Sequence, residues 1–202
     1  MTSQSMTNLS KRDQILLSAL TLFNEQGFEK TPTSAISKHA GVATGTLFHH
    51  FKTKEDLINA LYLDIKTEIR DISQPDSLIT ADDQPLTEDF VKTGLKAAWL
   101  SMMNWMQLHP AKFRFMAQFG ESAYISNNTR ETVSQLFQAA DRLFENAIQH
   151  GIFRPLPSCL LTSLMGAHMF AAANQLVQQP ELWQQPGMQD TLFESCWGIL
   201  AS

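Results

Sequence analysis

The stretch from Thr31 to Leu57, TPTSAISKHAGVATGTLFHHFKTKEDL, leaves few folds open. Thr31 offers an N-cap hydroxyl, and Pro32 suits the first helical position, where its missing N–H needs no partner. The spacing predicts a helix from about residue 32, with Ile36 and Ala40 on one face, small Ser37 beside them, and Lys38 and His39 outward. Gly41 ends it, because glycine adopts the left-handed backbone that closes a helix, and Val42 fills the corner. A second helix follows over roughly Ala43 to His50, with Leu47 and Phe51 inward. Thr44, Gly45, Thr46, Phe48, His49 and His50 then face out. This set carries hydroxyls, imidazoles, one aromatic ring and no acid, a chemistry suited to phosphates and thymine methyls. The layout over about residues 32–51 is that of a helix-turn-helix that reads DNA.

Before the motif, Ser10 with Asp13 forms a cap, and Ile15, Leu16, Ala19, Leu22 and Phe23 recur at helical intervals up to Gly27. After it, Thr53 with Asp56 repeats the capping pattern, and Leu57, Ile58, Leu61, Ile65 and Ile69 carry a long helix to about Ser73. Residues 73 to 86 mix Pro, Asp, Ser and Gln without a period and are expected to be a loop. Helical patterns then run over Thr87–Leu108, Pro110 to about Glu121, Ser126–Gly151, Ser158–Gln179 and Gly187–Ala201. The reading is an all-α chain of about nine helices, with a helix-turn-helix domain over residues 1–57 and a helical domain over residues 58–202.

The run AISKHAGVATGTLFHHFKTKEDL resembles the signature of the tetracycline-repressor (TetR) family of bacterial transcription regulators. The likeness lies in Ile-Ala-x-x-Ala-Gly-Val, Gly-Thr-Leu-Tyr, an aromatic followed by Phe, and Lys-Glu-x-Leu in that order, and it extends to the preceding helix ILLSALTLFNEQGFEKT. Ser37 stands where the family usually has alanine, and Phe48 where it usually has tyrosine, so a phenolic hydroxyl often offered to DNA is missing. The Gly45-Thr46-Leu47-Phe48 variant is similar to the multidrug-efflux repressor branch. The resemblance implies DNA contacts at Thr33, Ser34, Thr44, Gly45, Thr46, Phe48, His49, His50 and Lys54. It assigns the threonines, the histidines and Lys54 mainly to phosphates, and Ser34, Thr44, Gly45 and Phe48 nearer to bases. Repression by a dimer on a palindromic operator, relieved by a small effector, is the implied activity; activation and ligand-independent regulation stay open.

The net charge of −5 conceals a division. Residues 1–54 hold six basic side chains against three acidic ones, while the remainder is acidic. Phosphate attraction follows the local field, so a basic head on an acidic body is compatible with DNA binding. No apolar run approaches the ~20 residues of a membrane span, and the polar start lacks a signal-peptide core, so a cytoplasmic protein is expected. Cys159 and Cys196 lack metal spacing and are expected to be buried small hydrophobes. Asp82, Asp83, Glu88 and Asp89 read as solvated loop and helix-start charge, with no metal and no cofactor expected. Neither a Gly-rich phosphate loop nor a nucleophile motif is present, which argues against an enzyme.

Trp99, Met102, Met103, Met106, Phe113, Met116, Phe119, Phe137 and His168 read either as plain core or as an adaptable apolar pocket. The family resemblance favours an effector pocket, and the scarcity of charge there favours a hydrophobic or weakly cationic aromatic compound. His168, alone among apolar neighbours, is expected to be a satisfied core residue that could also bond a ligand. The last two helices carry apolar residues on too many sides for one buried face. The resemblance implies a homodimer there, with Leu161, Leu164, Phe193, Trp197 and Leu200 at the interface.

Overall fold

The computed structural model describes residues 9–73 and 86–202. Among them nine α-helices form, α1 (Lys11–Gln26), α2 (Thr33–His39), α3 (Thr44–His50), α4 (Lys54–Ser73), α5 (Glu88–Leu108), α6 (Pro110–Phe119), α7 (Asn127–Gln149), α8 (Ser158–Gln178) and α9 (Met188–Leu200). A 3-10 turn, Pro180–Gln184, separates the last two. Most of the expected loop, with Asp82 and Asp83, lies outside the described residues, whereas Glu88 and Asp89 are exposed in the first turn of α5.

Side-chain caps set several of the helix starts. Ser10 Oγ accepts from Asp13 N at 3.2 Å, Thr87 Oγ1 from Phe90 N at 3.3 Å, and Thr53 Oγ1 from Asp56 N at 2.9 Å, with Asp56 returning the bond to Thr53 N at 3.1 Å. Thr31 corrects the sequence reading. Its side chain does not cap α2; the buried hydroxyl turns back and donates to Gly27 O at 2.7 Å, which pins the end of α1, and Pro32 takes the cap position without a side-chain bond.

The chain forms two compact units. The first comprises the chain up to Lys66 with Ala111–Thr132, and the second comprises Thr67–Pro110 with Val133–Ser202. In the first, Ile15, Phe23, Ile36, Leu47, Leu57 and Ile58 are fully buried. Phe23 meets Phe28 at 5.4 Å and Phe119 at 6.3 Å between ring centroids, so α1 and α6 share one core. Burying each such ring contributes about 1.5–3 kcal/mol. Across α1 and α4, Arg12 donates to both oxygens of Asp64 at 2.9 Å, a half-exposed pair worth below ~1 kcal/mol that fixes angle more than stability.

In the second unit Trp99 lies between Trp183 at 5.9 Å and Phe193 at 5.8 Å, while Phe153 packs on Phe144 at 5.0 Å and Trp197 at 5.8 Å. Trp183, carried by the 3-10 turn, also donates to Asn104 Oδ1 at 2.9 Å. The residues that close α9 are held from the other side. Arg154 N donates to Leu200 O at 2.8 Å, and its guanidinium donates to Ala201 O at 2.9 Å and Gly198 O at 2.8 Å. The cysteines split: Cys196 is buried as expected, but Cys159 is exposed near the start of α8, because that turn leaves one side uncovered by its own unit. Burial pushes the Cys196 thiol up to about 11.

Candidate nucleic-acid interface

The reading unit is built from the turn outward. Gly41 has φ 66°, the left-handed conformation its place at the end of α2 demands, and Val42 N then donates to Ser37 O at 3.0 Å. Ile36, Ser37 and Ala40 are buried while Lys38 and His39 are exposed. On α3, Leu47 and Phe51 are buried as the spacing predicted, and they anchor the helix against α1 and α2.

A hydroxyl chain locks the two short helices together. Ser37 Oγ donates to Ser34 O at 3.1 Å and lies 3.1 Å from Thr44 Oγ1. One Ser37 proton cannot serve both bonds, so Thr44 donates to Ser37 and keeps its lone pairs for an outside donor. Alanine at position 37 would leave Thr44 without this partner.

The structure presents Ser34, Thr44, Gly45, His49 and His50 to solvent, with Phe48 40% exposed and Thr33 and Thr46 half-buried. A Cβ added to Gly45 would meet nothing within 4 Å. Glycine inside a helix is disfavoured by roughly 0.5–1 kcal/mol against alanine, and nothing inside the chain requires it here. Lys54 stands apart from this set. Its Nζ donates to Phe28 O at 2.9 Å and sits 4.2 Å from the centroid of the Phe28 ring, so the ammonium is engaged within the unit. Lys30, Lys38 and Lys52, which the sequence reading did not select, are exposed cations within and beside the motif.

The nine residues assigned to an effector divide between the units. Phe113, Met116 and Phe119 are buried in the first. Trp99, Met103 and Met106 are buried in the second, where Met102, Phe137 and His168 are half-buried. His168 Nε2 pairs with Ser195 Oγ at 2.9 Å, but His168 Nδ1 is buried with no partner among the described residues, so they satisfy only half of this histidine. The Trp99 indole N–H likewise reaches no acceptor at hydrogen-bond geometry among the described residues, though it lies near enough to favour the Cys196 thiolate weakly. Desolvation holds the His168 imidazole below its ordinary pKa. A surface cleft of about 340 Å³ in the first unit is lined by residues 26–30 together with Gln118, Phe119, Ser122 and Tyr124, and it shares only Phe119 with the expected pocket.

Of the residues expected at a dimer interface, Leu161, Phe193, Trp197 and Leu200 are buried within the second unit itself, where a partner chain has nothing left to cover. Leu164 is 41% exposed. The open apolar side chains of α8 are Leu160, Leu164 and Val177, with Ala167 and Ala171 exposed between them. No helix among the described residues is long and apolar enough to cross a membrane.

Comparison with known proteins adds a second line of argument. A family model described as bacterial regulatory proteins, tetR family, matches residues 15–61, and one for the tetracyclin repressor-like C-terminal domain matches residues 70–202. The chain is 38% identical over 55 residues to the HTH-type transcriptional repressor KstR2 of Mycolicibacterium smegmatis, 27% of each protein. It is 44% identical over 52 residues to the HTH-type transcriptional regulator UidR of Escherichia coli K12, 26% of each. These alignments therefore span about a quarter of the length of either relative. A crystal structure described as a tetR family transcription regulator from Shewanella sp. PV-4 superposes with a TM-score of 0.82 at 29% identity, covering 96% of this chain and 100% of the other. One from Marinobacter aquaeolei VT8 shares the fold with a TM-score of 0.81 at 21% identity, covering 95% and 96%.

Proposed function

Because this chain belongs to the TetR family of bacterial regulatory proteins, we propose that it is a cytoplasmic transcriptional repressor that binds a palindromic operator as a homodimer and releases it when a small apolar effector binds. The observation that carries this reading is the exposed surface of α3. Leu47 and Phe51 fix the helix from behind, while Thr44, Gly45, Phe48, His49 and His50 are left facing outward with no acid among them. That surface suits a major groove, and the open space at Gly45 suits close approach of the backbone to DNA. Ser34 and Thr44 are proposed to reach base edges, and Thr33, Thr46, Lys38 and Lys52 phosphates. The repressor name carried by one relative supports repression over activation.

Dimerisation is proposed through the open side of α8 at Leu160 and Leu164, extended by Gly198 on α9, where an added Cβ would meet nothing. Effector contacts are proposed for Trp99, Met102, Met103, Met106, Phe137 and His168. The unsatisfied Trp99 N–H and His168 Nδ1 favour an apolar compound that also carries a hydrogen-bonding group. An apolar effector also fits the likeness of Gly45–Phe48 to the efflux branch. Helix α4 belongs covalently to both units, so a ligand with different affinity for two positions of that helix would shift DNA binding by its differential affinity, typically 1–3 kcal/mol. Selection of binding sites from random-sequence duplex DNA tests the core of the proposal. A palindromic consensus bound with steep salt dependence is expected, and enrichment of no sequence overturns it. Lipophilic compounds that raise the melting temperature and also release the selected site would establish the effector half.

A further inference from the structure

Residues 120–126 connect α6 to α7 and lie outside every stretch assigned to DNA, yet they belong to the same compact unit as the reading helices. Their contacts converge on one ring. Phe28, at the corner between α1 and α2, meets Tyr124 with 4.3 Å between centroids and a 32° tilt. Lys54, the first residue of α4, lies 4.2 Å from the same centroid and donates to the Phe28 carbonyl. The Tyr124 hydroxyl donates to Glu29 Oε1 at 2.9 Å. One turn further along α4, Asn59 grips the connection by its backbone: Nδ2 donates to Tyr124 O at 2.9 Å, and Oδ1 accepts from Ser126 N at 2.9 Å. At its start only glycine fits without movement, since a Cβ at Gly120 would sit 2.7 Å from Met116 O.

We propose that Tyr124 and Asn59 are positioning residues for DNA reading, holding the first turn of α4 and the Phe28 corner at the angle that presents α3. Only residues 51–53 separate α3 from α4, so a shift of Lys54 and Asn59 is passed to the reading helix with little slack. The inference rests on the DNA-binding reading above. It adds that specificity depends on a segment far in sequence from the motif, through geometry and without a phosphate contact of its own. Misplacement of base-reading groups by even a fraction of their hydrogen-bond range costs base discrimination, whereas phosphate attraction tolerates it.

The test compares Y124A, N59A, Y124F and N59D with the wild type on two duplexes, the site selected from random DNA and a scrambled duplex of the same length, each over a salt series. Y124A and N59A are expected to lose about tenfold on the selected site and less than twofold on the scrambled one, with the slope of log affinity against log salt unchanged. Y124F keeps the ring stack and should stay within about threefold of wild type. N59D is nearly isosteric and keeps the bond accepted from Ser126 N, but it sets a carboxylate oxygen against Tyr124 O and Glu55 O in place of the two donated bonds, so it should weaken the selected site at least tenfold and serves if Y124A or N59A melts below the assay temperature. Wild-type affinity of Y124A or N59A for the selected site overturns the proposal, as does equal loss on both duplexes or a reduced salt slope. A wild-type chain that selects no site overturns the DNA-binding reading and this inference with it.

Discussion

The outward face of α3 and the open side of α8 are both uncovered by the other described residues, but they differ in chemistry. On α3 the exposed groups are hydroxyls, imidazoles, a glycine and one aromatic ring, with lysines on either side. On α8 they are chiefly Leu160, Leu164, Ala167, Ala171 and Val177, with Cys159 and the uncharged Ser163, Asn174, Gln175 and Gln178 among them, and the helix carries no acidic or basic residue other than His168. Solvation cost separates the two. The α3 groups lose little by standing in water and gain by meeting a polyanion, whereas Leu160 and Leu164 gain only by leaving water, at about 25 cal/mol for each Å² covered. An open face of the first kind suits a partner met and released; one of the second kind suits a partner kept.

Breaking the α8 face should have the largest effect. L164E is expected to convert the proposed dimer to monomer in analytical ultracentrifugation and to lower operator affinity at least ~100-fold, since one head alone forfeits the effective concentration supplied by the second. A variant that stays dimeric would move the interface elsewhere. On the α3 face, G45A should weaken the selected site about tenfold while raising thermal stability slightly, by roughly 0.5–1 kcal/mol, because the added methyl meets nothing in the free chain but intrudes on a partner. Loss of stability in G45A would mean that the glycine serves the fold instead. S37A takes away the acceptor of the Thr44 hydroxyl. It should weaken the selected site about threefold and relax base preference at one position per half-site, read out by repeating the selection.

Lysine substitutions sharpen the contrast further. K52A should reduce the salt slope by about one unit, while K54A, whose ammonium is held by Phe28, should leave the slope within about half a unit. Equal slopes for both variants would return Lys54 to the phosphate backbone. The smallest effect belongs to His168. Its pKa is lowered by desolvation in the folded chain, so the unfolded chain binds more protons as pH falls. Stability is complete above the unfolded value of about 6.5 and declines slightly below it. Urea midpoints measured at pH 7.5 and pH 5.5 should therefore converge somewhat in H168Q.

Much of the reading unit was legible because its determinants are local. Gly41 must adopt positive φ, Thr53 and Asp56 cap each other within one turn, and Leu47 and Phe51 share a face by spacing alone. The interior of the second unit was less so. Helical periodicity says that a stripe is apolar but not what covers it, and α8 and α9 are apolar on more than one side. That is why Phe193 and Trp197 read as surface for a partner although Trp99 and Phe153 already cover them. Trp183 escaped notice for a related reason, since a five-residue 3-10 turn has no period to read. Lys54 and Tyr124 meet at Phe28 from positions far apart in sequence, and no spacing rule reaches across such a separation.

The grip of Arg154 on the close of α9 has a consequence for how the chain breathes. A final helical turn ordinarily frays, because its last carbonyls have no partner within the helix. Here Gly198, Leu200 and Ala201 all have an N–H donor from Arg154, and Ser202 N donates back to Ile152 O at 3.2 Å. Amide hydrogens of this turn should exchange with solvent nearly as slowly as those in the middle of α9, and Arg154→Ala should speed them selectively. Loss of that grip would loosen α9 from this turn inward, and its amides would report the damage before any binding assay does.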